Sequence, residues 1–258
     1  MDVLVTGGTG TLGRHVVLLL RHSGHRARIL SRHPRGHVDA VEGDLKTGAG
    51  LEKAVAGMDA IVHAATGARQ SFIGHFDVRA TRRLLEAARR AKVKHLVYPS
   101  IVGIDGSSYP YFVTKLKTEA VIRKGDVAWS ILRATQFHDF VHMVLSGFAR
   151  TPGVIALPFA WQVQPVDVKE VAKRVTEVVL GAPTSGVEDF GGPEIHDLES
   201  LAEKWRHARR DTRRLVNLSL PFRFSKQWAA GALTTPEHRN GKATFDDYLA
   251  DRYGSSGL

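Results

Sequence analysis

Tyr111 and Lys115 stand four residues apart in the segment YPYFVTKLKTE, residues 109–119. On a helix that spacing stacks the two side chains on one face, a single turn apart. A phenol has an ordinary pKa of about 10, and a cation beside it stabilises the phenolate and draws that value toward neutrality. The pair is therefore suited to general acid–base chemistry. Tyr109 is not an equivalent candidate. It lies six residues from Lys115, off that face, and it precedes Pro110, which biases it away from helix. Ser100 ends the apolar run HLVYPS (95–100), where its hydroxyl can hold a substrate oxygen between itself and Tyr111.

A second set of residues points to an anionic ligand. In VLVTGGTGTLGRHVVLLL (3–20), Gly7, Gly10 and Gly13 recur every three residues, and Gly8, Gly10 and Gly13 fit G-x-G-x-x-G. The motif follows an apolar strand directly and opens a helix directly, the context in which such a turn cradles a dinucleotide pyrophosphate. Glycine lets the backbone come close, and the helix N-terminus supplies free amides and a partial positive charge. Gly7, Thr9, Gly10, Thr11, Leu12 and Gly13 are the candidate phosphate-binding residues. The identity of the dinucleotide is read after the second strand, where an Asp or Glu usually binds a free ribose 2′-hydroxyl. No acidic residue occurs from Val3 to Val38, whereas six arginines do (14, 21, 26, 28, 32 and 35). Arg32 directly follows RILS, and its guanidinium can hold a 2′-phosphate through two bonds. Arg14 and Arg35 can assist. The expected cofactor is NADP.

These residues need elements to carry them. DVLVT (2–6), RARILS (26–31), DAVEGDL (39–45), DAIVHAA (59–65), HLVYPS (95–100) and VAWSILR (127–133) read as strands, alternating with helices at 12–24, near 48–57, at about 75–91 and around Lys115. Strand–helix alternation with nearly continuous apolar strands predicts a doubly wound parallel sheet covered on both faces, an α/β Rossmann fold over residues 1–133. After Arg133 the rhythm changes. Helices are expected at 136–150, 167–181 and 196–210, and a stretch rich in proline and aromatics lies at 151–165. A strand near 187–191 should return to the sheet. Residues 134–258 are expected to form a smaller, substrate-binding C-terminal lobe over the carboxyl edge of the sheet. Phe137, Phe140, Phe159, Trp161 and Trp228 can line an apolar pocket there or form the core of that lobe.

Composition narrows the classes. The chain has 258 residues, 43% of them hydrophobic, and no cysteine, which excludes disulfides and thiolate sites. No apolar run approaches the roughly 20 residues that span a bilayer. Met1 leads almost directly into VLVTGG without a basic-then-apolar leader, so a cytoplasmic protein is expected. The net charge of +10 is clustered in RRLLEAARRAKVKH (82–95) and RHARRDTRR (206–214). The first cluster spaces leucine and alanine as on a solvated helix, and no nucleic-acid-binding motif accompanies either. A small-molecule substrate is expected, with no nucleic-acid or membrane partner. HDFVH (138–142) places two histidines a turn apart, but with Asp139 in place of the longer Glu and no third ligand in view, so no metal site is expected.

The glycine turn after VLVT resembles that of the short-chain dehydrogenase/reductase superfamily, and the likeness continues along the chain. GDL (43–45) looks like the adenine-contacting segment, which implies roles for Asp44 and Leu45. HAAT (63–66) resembles the motif running beside the cofactor, implying Ala64, Ala65 and Thr66. Ser100, Tyr111 and Lys115 match Ser…Tyr-x-x-x-Lys, in which the lysine also binds ribose hydroxyls. ILRATQF (131–137), PVDVKEVA (165–172) and TFDDYLADRYG (244–254) are similar to the atypical, NmrA-like branch, where the helix carrying Phe137 and His138 borders the substrate pocket. The resemblance implies either an NADPH-dependent oxidoreductase or a non-catalytic NADP-binding redox sensor. One departure stands out. Many members carry an asparagine that supports the lysine through water, and the only asparagines here are Asn217 and Asn240.

Overall fold

The computed structural model describes residues 1–34, 36–67 and 76–254, so Arg35 lies outside the described residues. The elements are, in order, β1 (Asp2–Thr6), α1 (Gly13–His22), β2 (Arg26–Ser31), β3 (Ala40–Glu42), α2 (Leu51–Val55), β4 (Ala60–His63), α3 (Phe76–Arg90), β5 (His95–Ile101), α4 (Pro110–Arg123) and β6 (Trp129–Ala134). There follow α5 (His138–Phe148), β7 (Val154–Leu157), β8 (Gln162–Val163), α6 (Val168–Leu180), β9 (Val187–Phe190) and β10 (His196–Asp197). The last are α7 (Leu198–Ala208), β11 (Arg214–Asn217), α8 (Arg223–Ala229) and α9 (Phe245–Tyr253). The chain divides into two compact units, one of residues 1–100, 109–133 and 168–188, the other of residues 101–108, 134–167 and 189–258.

The first unit is built on a seven-stranded sheet in the order β3-β2-β1-β4-β5-β6-β9. The pairs from β3 to β5 are parallel. The amides of Leu96 and Val102 reach the carbonyls of Ala128 and Ala134, and those of Ile131 and Thr135 reach Gly186 and Phe190, so β6 and β9 keep the same direction. β1 and β4 are buried along almost their whole length, as expected for central strands covered on both faces. The doubly wound parallel α/β fold expected from the sequence is the fold observed. The strand order reverses between β1 and β4, which opens a crevice at their carboxyl ends.

The covering helices follow their apolar stripes. α1 buries Val16, Val17 and Leu20, and α6 buries Val168, Val171, Ala172, Val175 and Val179. These two helices pack on each other, so residues 168–188, which the sequence groups with the C-terminal lobe, belong with the first unit. α4 begins where Tyr109 is extended (ψ 121°) and Pro110 occupies the first helical turn, where a missing amide hydrogen costs nothing. Its position is fixed from beneath by a buried ion pair. Arg133 of β6 donates from Nε to Glu119 Oε1 at 3.0 Å and from a terminal nitrogen to Oε2 at 2.8 Å, and Arg123 reaches the same Oε2 at 3.0 Å.

The second unit differs from its expectation in detail. The 151–165 stretch contains β7 and β8, which pair with β11 (parallel) and β10 (antiparallel), and α8 is an element that its short length hid from sequence periodicity. Trp161 and Trp228 are core residues with ring centroids 4.6 Å apart, while Phe140 is exposed. The excess of Lys and Arg falls in the first unit, since acidic and basic residues nearly balance in the second.

Because Glu119 is fully buried, Glu119→Ala leaves the Arg133 guanidinium buried without its carboxylate. We expect a loss of about 3–5 kcal/mol of unfolding free energy in urea denaturation, the usual effect of breaking a buried pair from one side.

Candidate functional site

The glycine turn closes on itself and on the neighbouring strand. Gly7 takes φ +69°, a conformation open to glycine, and a Cβ there would stand 2.7 Å from the Ala65 nitrogen. A Cβ on Gly13 would stand 2.1 Å from the Gly7 carbonyl oxygen, so Gly7 and Gly13 are required for the turn to close at all. Gly10 is different. It is exposed, and a Cβ there would meet only the Gly7 oxygen, at 3.1 Å. Beyond Gly10, α1 has no acidic residue in its first turn and no side-chain cap. Among the described residues the amides of Thr11, Leu12 and Gly13 donate to nothing. The turn thus presents unpaired donors at the positive end of a helix, the arrangement that receives a pyrophosphate.

Beside this turn runs a layer of polar contacts whose proton positions can be worked out. Thr81 donates its hydroxyl to the Asp77 carbonyl at 2.7 Å. Its oxygen must then accept from His63 Nε2, 2.9 Å away, which puts the single imidazole proton on Nε2. His63 Nδ1 in turn accepts from Thr6 Oγ1 at 2.7 Å, and Thr6 Oγ1 accepts the Ala65 amide at 3.3 Å. His63 is fully buried, and burial, with the Lys115 charge adding to it, pushes its pKa down to about 3. It is neutral, as the hydrogen-bond directions require. The Asp77 side chain completes the layer, accepting from the Gly67 amide at 2.8 Å and from the Thr66 hydroxyl at 2.9 Å. Thr66 Oγ1 lies 3.2 Å from the Tyr111 hydroxyl.

Lys115 is buried at the end of β5. Its ammonium donates to the Pro99 carbonyl at 2.9 Å and lies 4.1 Å from the centre of the Tyr98 ring. Burial pushes its pKa down to about 8, with Asp77 and Glu119 opposing, so it remains largely charged at neutrality. Ser100, next to Pro99, is buried, and its hydroxyl has no hydrogen-bond partner among the described residues. Such a group is expected to be completed by a ligand. Tyr111 and Lys115 therefore have different protein partners, and the Tyr111 phenol is pushed up by burial, with Asp77 and Tyr109 adding to it and the Thr66 contact opposing, rather than drawn down by the lysine. Tyr109 precedes the helix and packs edge-on against Phe112.

The family profile described as NAD(P)H-binding matches residues 7–142. The chain belongs to the NAD(P)H-binding family. The likeness to short-chain dehydrogenases and reductases read from its motifs is thereby borne out. A ceramide reductase of Caulobacter vibrioides is 27% identical over 67% of this chain and 59% of its own length. A (4-alkanoyl-5-oxo-2,5-dihydrofuran-3-yl)methyl phosphate reductase of Streptomyces griseus is 30% identical over 74% of this chain and 68% of its own. The matched region thus spans about three fifths to two thirds of these curated relatives. An NADPH-dependent quinone oxidoreductase of Escherichia coli, solved with NADPH, superposes with a TM-score of 0.78 over 97% of this chain and 99% of its own, at 17% identity.

Within this NAD(P)H-binding chain the other expected residues have varied surroundings. Arg32 is exposed just after β2 and makes no bond to any described residue, whereas Arg21 and Arg28 are taken up by the fold and the exposed Arg26 reaches Asp2. Asp44 Oδ1 accepts the Lys46 amide at 2.8 Å, and Leu45 packs on the core under α2. Ala64 and Ala65 line the glycine turn. In the second unit, Phe137 caps α5 and is half-buried. His138 is 2% exposed, its ring packed against Phe245 and Tyr248. His142 bonds Tyr253 at 2.6 Å and Asp139 accepts from Tyr248 at 3.0 Å. Sequence reasoning missed His63, Asp77, Thr81 and Tyr98. Asp77 carried only the weak signal of an acid in the first turn of a helix.

An added Cβ at Gly10 meets one atom, the Gly7 oxygen, which has to yield by a few tenths of an ångström, so Gly10→Val should still fold, with a modestly lowered melting temperature. It should nevertheless lose NADPH binding in fluorescence titration, because the side chain takes the space beside the free amides. A folded variant that binds NADPH normally removes the glycine turn from the site.

Proposed function

We infer that the protein is an NADPH-dependent oxidoreductase of the short-chain type, acting on a small apolar or aromatic carbonyl compound. The observation that carries this reading is the Thr66 bridge. Ala65 lies against Gly7 of the phosphate turn, and the next residue bonds the Tyr111 hydroxyl, so the candidate proton donor stands beside the candidate cofactor crevice. The named reductases among its relatives agree with it.

The residues fit the cofactor. The amides of the Gly7–Gly13 turn would hold the pyrophosphate, Arg32 the 2′-phosphate, Asp44 and Leu45 the adenine, and Ala64, Ala65, Thr66 and Lys115 the nicotinamide half. When bound, the nicotinamide supplies or takes the hydride. The chain supplies the rest. In reduction, the carbonyl oxygen gains negative charge as its carbon gains hydride. Ser100, whose hydroxyl is otherwise unpartnered, holds that oxygen. Tyr111 delivers the proton, which leaves an alcohol and a phenolate that solvent reprotonates. The buried ammonium of Lys115, held by the Pro99 carbonyl and the Tyr98 ring, would bind ribose hydroxyls of the cofactor rather than the phenolate. Support for NADP over NAD rests on Arg32.

Incubating the protein with NADPH and a panel of quinones, ketones and aldehydes, while following nicotinamide absorbance, tests the reading. Tight NADPH binding without turnover across the panel would favour the sensor instead. On any substrate found, Tyr111→Phe should lower turnover by ~10²-fold or more with NADPH affinity nearly intact, the scale of general acid–base catalysis. Arg32→Asp should weaken NADPH by ~10-fold or more and NADH far less, since a charge-assisted bond is replaced by repulsion. Equal losses for the two cofactors would remove Arg32 from that role.

A further inference from the structure

Thr66 has one hydroxyl proton, and it is spent on Asp77 at 2.9 Å. The contact with Tyr111 at 3.2 Å can then run only one way, with the phenol donating and the Thr66 oxygen accepting. A Thr66 hydroxyl that donated to the oxygen of Tyr111 would stabilise the phenolate and lower the phenol's pKa; with its one proton on Asp77 it is turned away, and the contact favours the phenol instead. We propose that Asp77, acting through the Thr66 hydroxyl, is a positioning residue that keeps Tyr111 in its protonated, proton-donating form and so sets the site for carbonyl reduction rather than alcohol oxidation. The inference rests on the oxidoreductase reading for its consequence but not for its chemistry.

Among the described residues, the titratable groups around Tyr111 and Lys115 are Asp77 of α3, Tyr98 of β5, His63 of β4, and Tyr109 and Glu119 on either side along the chain. Of these, Asp77 alone bonds Thr66. Its charge raises both the phenol and the ammonium, favouring the state in which each holds its proton. Proton donation in reduction needs that state, whereas alcohol oxidation needs the phenolate as base. Asp77 thus takes a place beside the tyrosine in a chain without the supporting asparagine, since Asn240 serves the Gly191 amide and Asn217 the Phe159 amide.

The replacement Asp77→Asn keeps the shape and reverses the polarity. Its carbonyl can still accept from Gly67, but its amide donates to Thr66, which frees the Thr66 proton to turn toward Tyr111. The test is a titration of protein labelled with 13Cζ-tyrosine, followed by NMR, with the Tyr111 signal assigned by its loss in Tyr111→Phe. The Tyr111 pKa should fall by about one unit or more in Asp77→Asn, the scale of a neighbouring charge. Thr66→Val should also lower it, because the oxygen that favours the phenol is gone, and Thr66→Ser should leave it unchanged. If Thr66 instead donates to the phenolate, Thr66→Val raises the pKa, and that result overturns the proposal even where Asp77→Asn does not fold. An unchanged Tyr111 pKa in folded Asp77→Asn overturns it equally. In turnover, the loss of reduction as pH rises through the Tyr111 pKa should begin at lower pH in Asp77→Asn, while oxidation gains at neutrality. A lowered pKa in a protein that turns over no carbonyl compound supports the proton placement and sinks the reductase reading alone.

Discussion

Asp77 accepts hydrogen bonds at both ends, its carbonyl from Thr81 and its carboxylate from Thr66 and Gly67. Neither group can donate, and this one-way constraint propagates through the layer above the sheet. From the carbonyl it passes through Thr81 and His63 to Thr6, at the end of β1, and from the carboxylate through Thr66 to Tyr111. Every proton in between is assigned without choice. Buried polar layers of this kind specify one arrangement when all members are satisfied and become costly when one is not. Burial keeps His63 neutral, and the two threonines hold its single tautomer. The same contacts join β1, β4 and α3, so the crevice walls and the orientation of the candidate acid share one set of bonds.

The parallel sheet explains why these contacts gather at one edge. All strands of the first unit point the same way, so Thr6, His63 and Ser100 arrive together at the carboxyl end, next to the N-terminus of α1. That helix brings free amides to the edge, and the order reversal between β1 and β4 keeps neighbouring connections from covering them. α4 is locked below by the Arg133–Glu119 pair, which leaves its first two turns, with Tyr111 and Lys115, to face the same edge. The costly buried ion pair is thereby tied to placement. Two charged groups removed from water add little net stability, but they fix the helix in rotation and along its axis.

What the sequence made legible follows from distance along the chain. Strand and helix periodicities are local, and so are the glycine turn and the spacing of Tyr111 from Lys115. Those features were read correctly as elements. The Thr66–Tyr111 contact joins residues 45 positions apart, and Thr6–His63 joins residues 57 apart. No pattern in one sequence announces such pairings. The same holds for β7 and β11, four residues each, whose pairing bridges some sixty residues, and for α6, whose apolar stripe is plain but whose partner helix is not. Lys115 shows the sharper limit. Helical spacing placed it on the face of Tyr111, yet its ammonium is directed by the Pro99 carbonyl and the Tyr98 ring, neither of which the spacing argument contains.

The arginines make the same point about chemistry. Six arginines and no acid near the second strand suggested a phosphate site, but composition cannot separate those that build from those that bind. Arg28 donates to three carbonyls at the end of α2, at 2.8–3.3 Å, where it satisfies groups the helix leaves open. Arg21 bonds the carbonyls of Ala27 and Val38, and Arg26 pairs with Asp2. Arg26 is largely exposed and holds Asp2 through one contact of 3.4 Å, while Arg28 and Arg21 have spent donors on the fold and would be needed whatever the ligand. Arg32 has not, and it stands at the carboxyl end of β2, on the side where the fold opens. A long, charged side chain left without a protein partner at such an edge is weak evidence alone. It gains weight as an argument for a phosphate because Arg21 and Arg28 are accounted for by the fold.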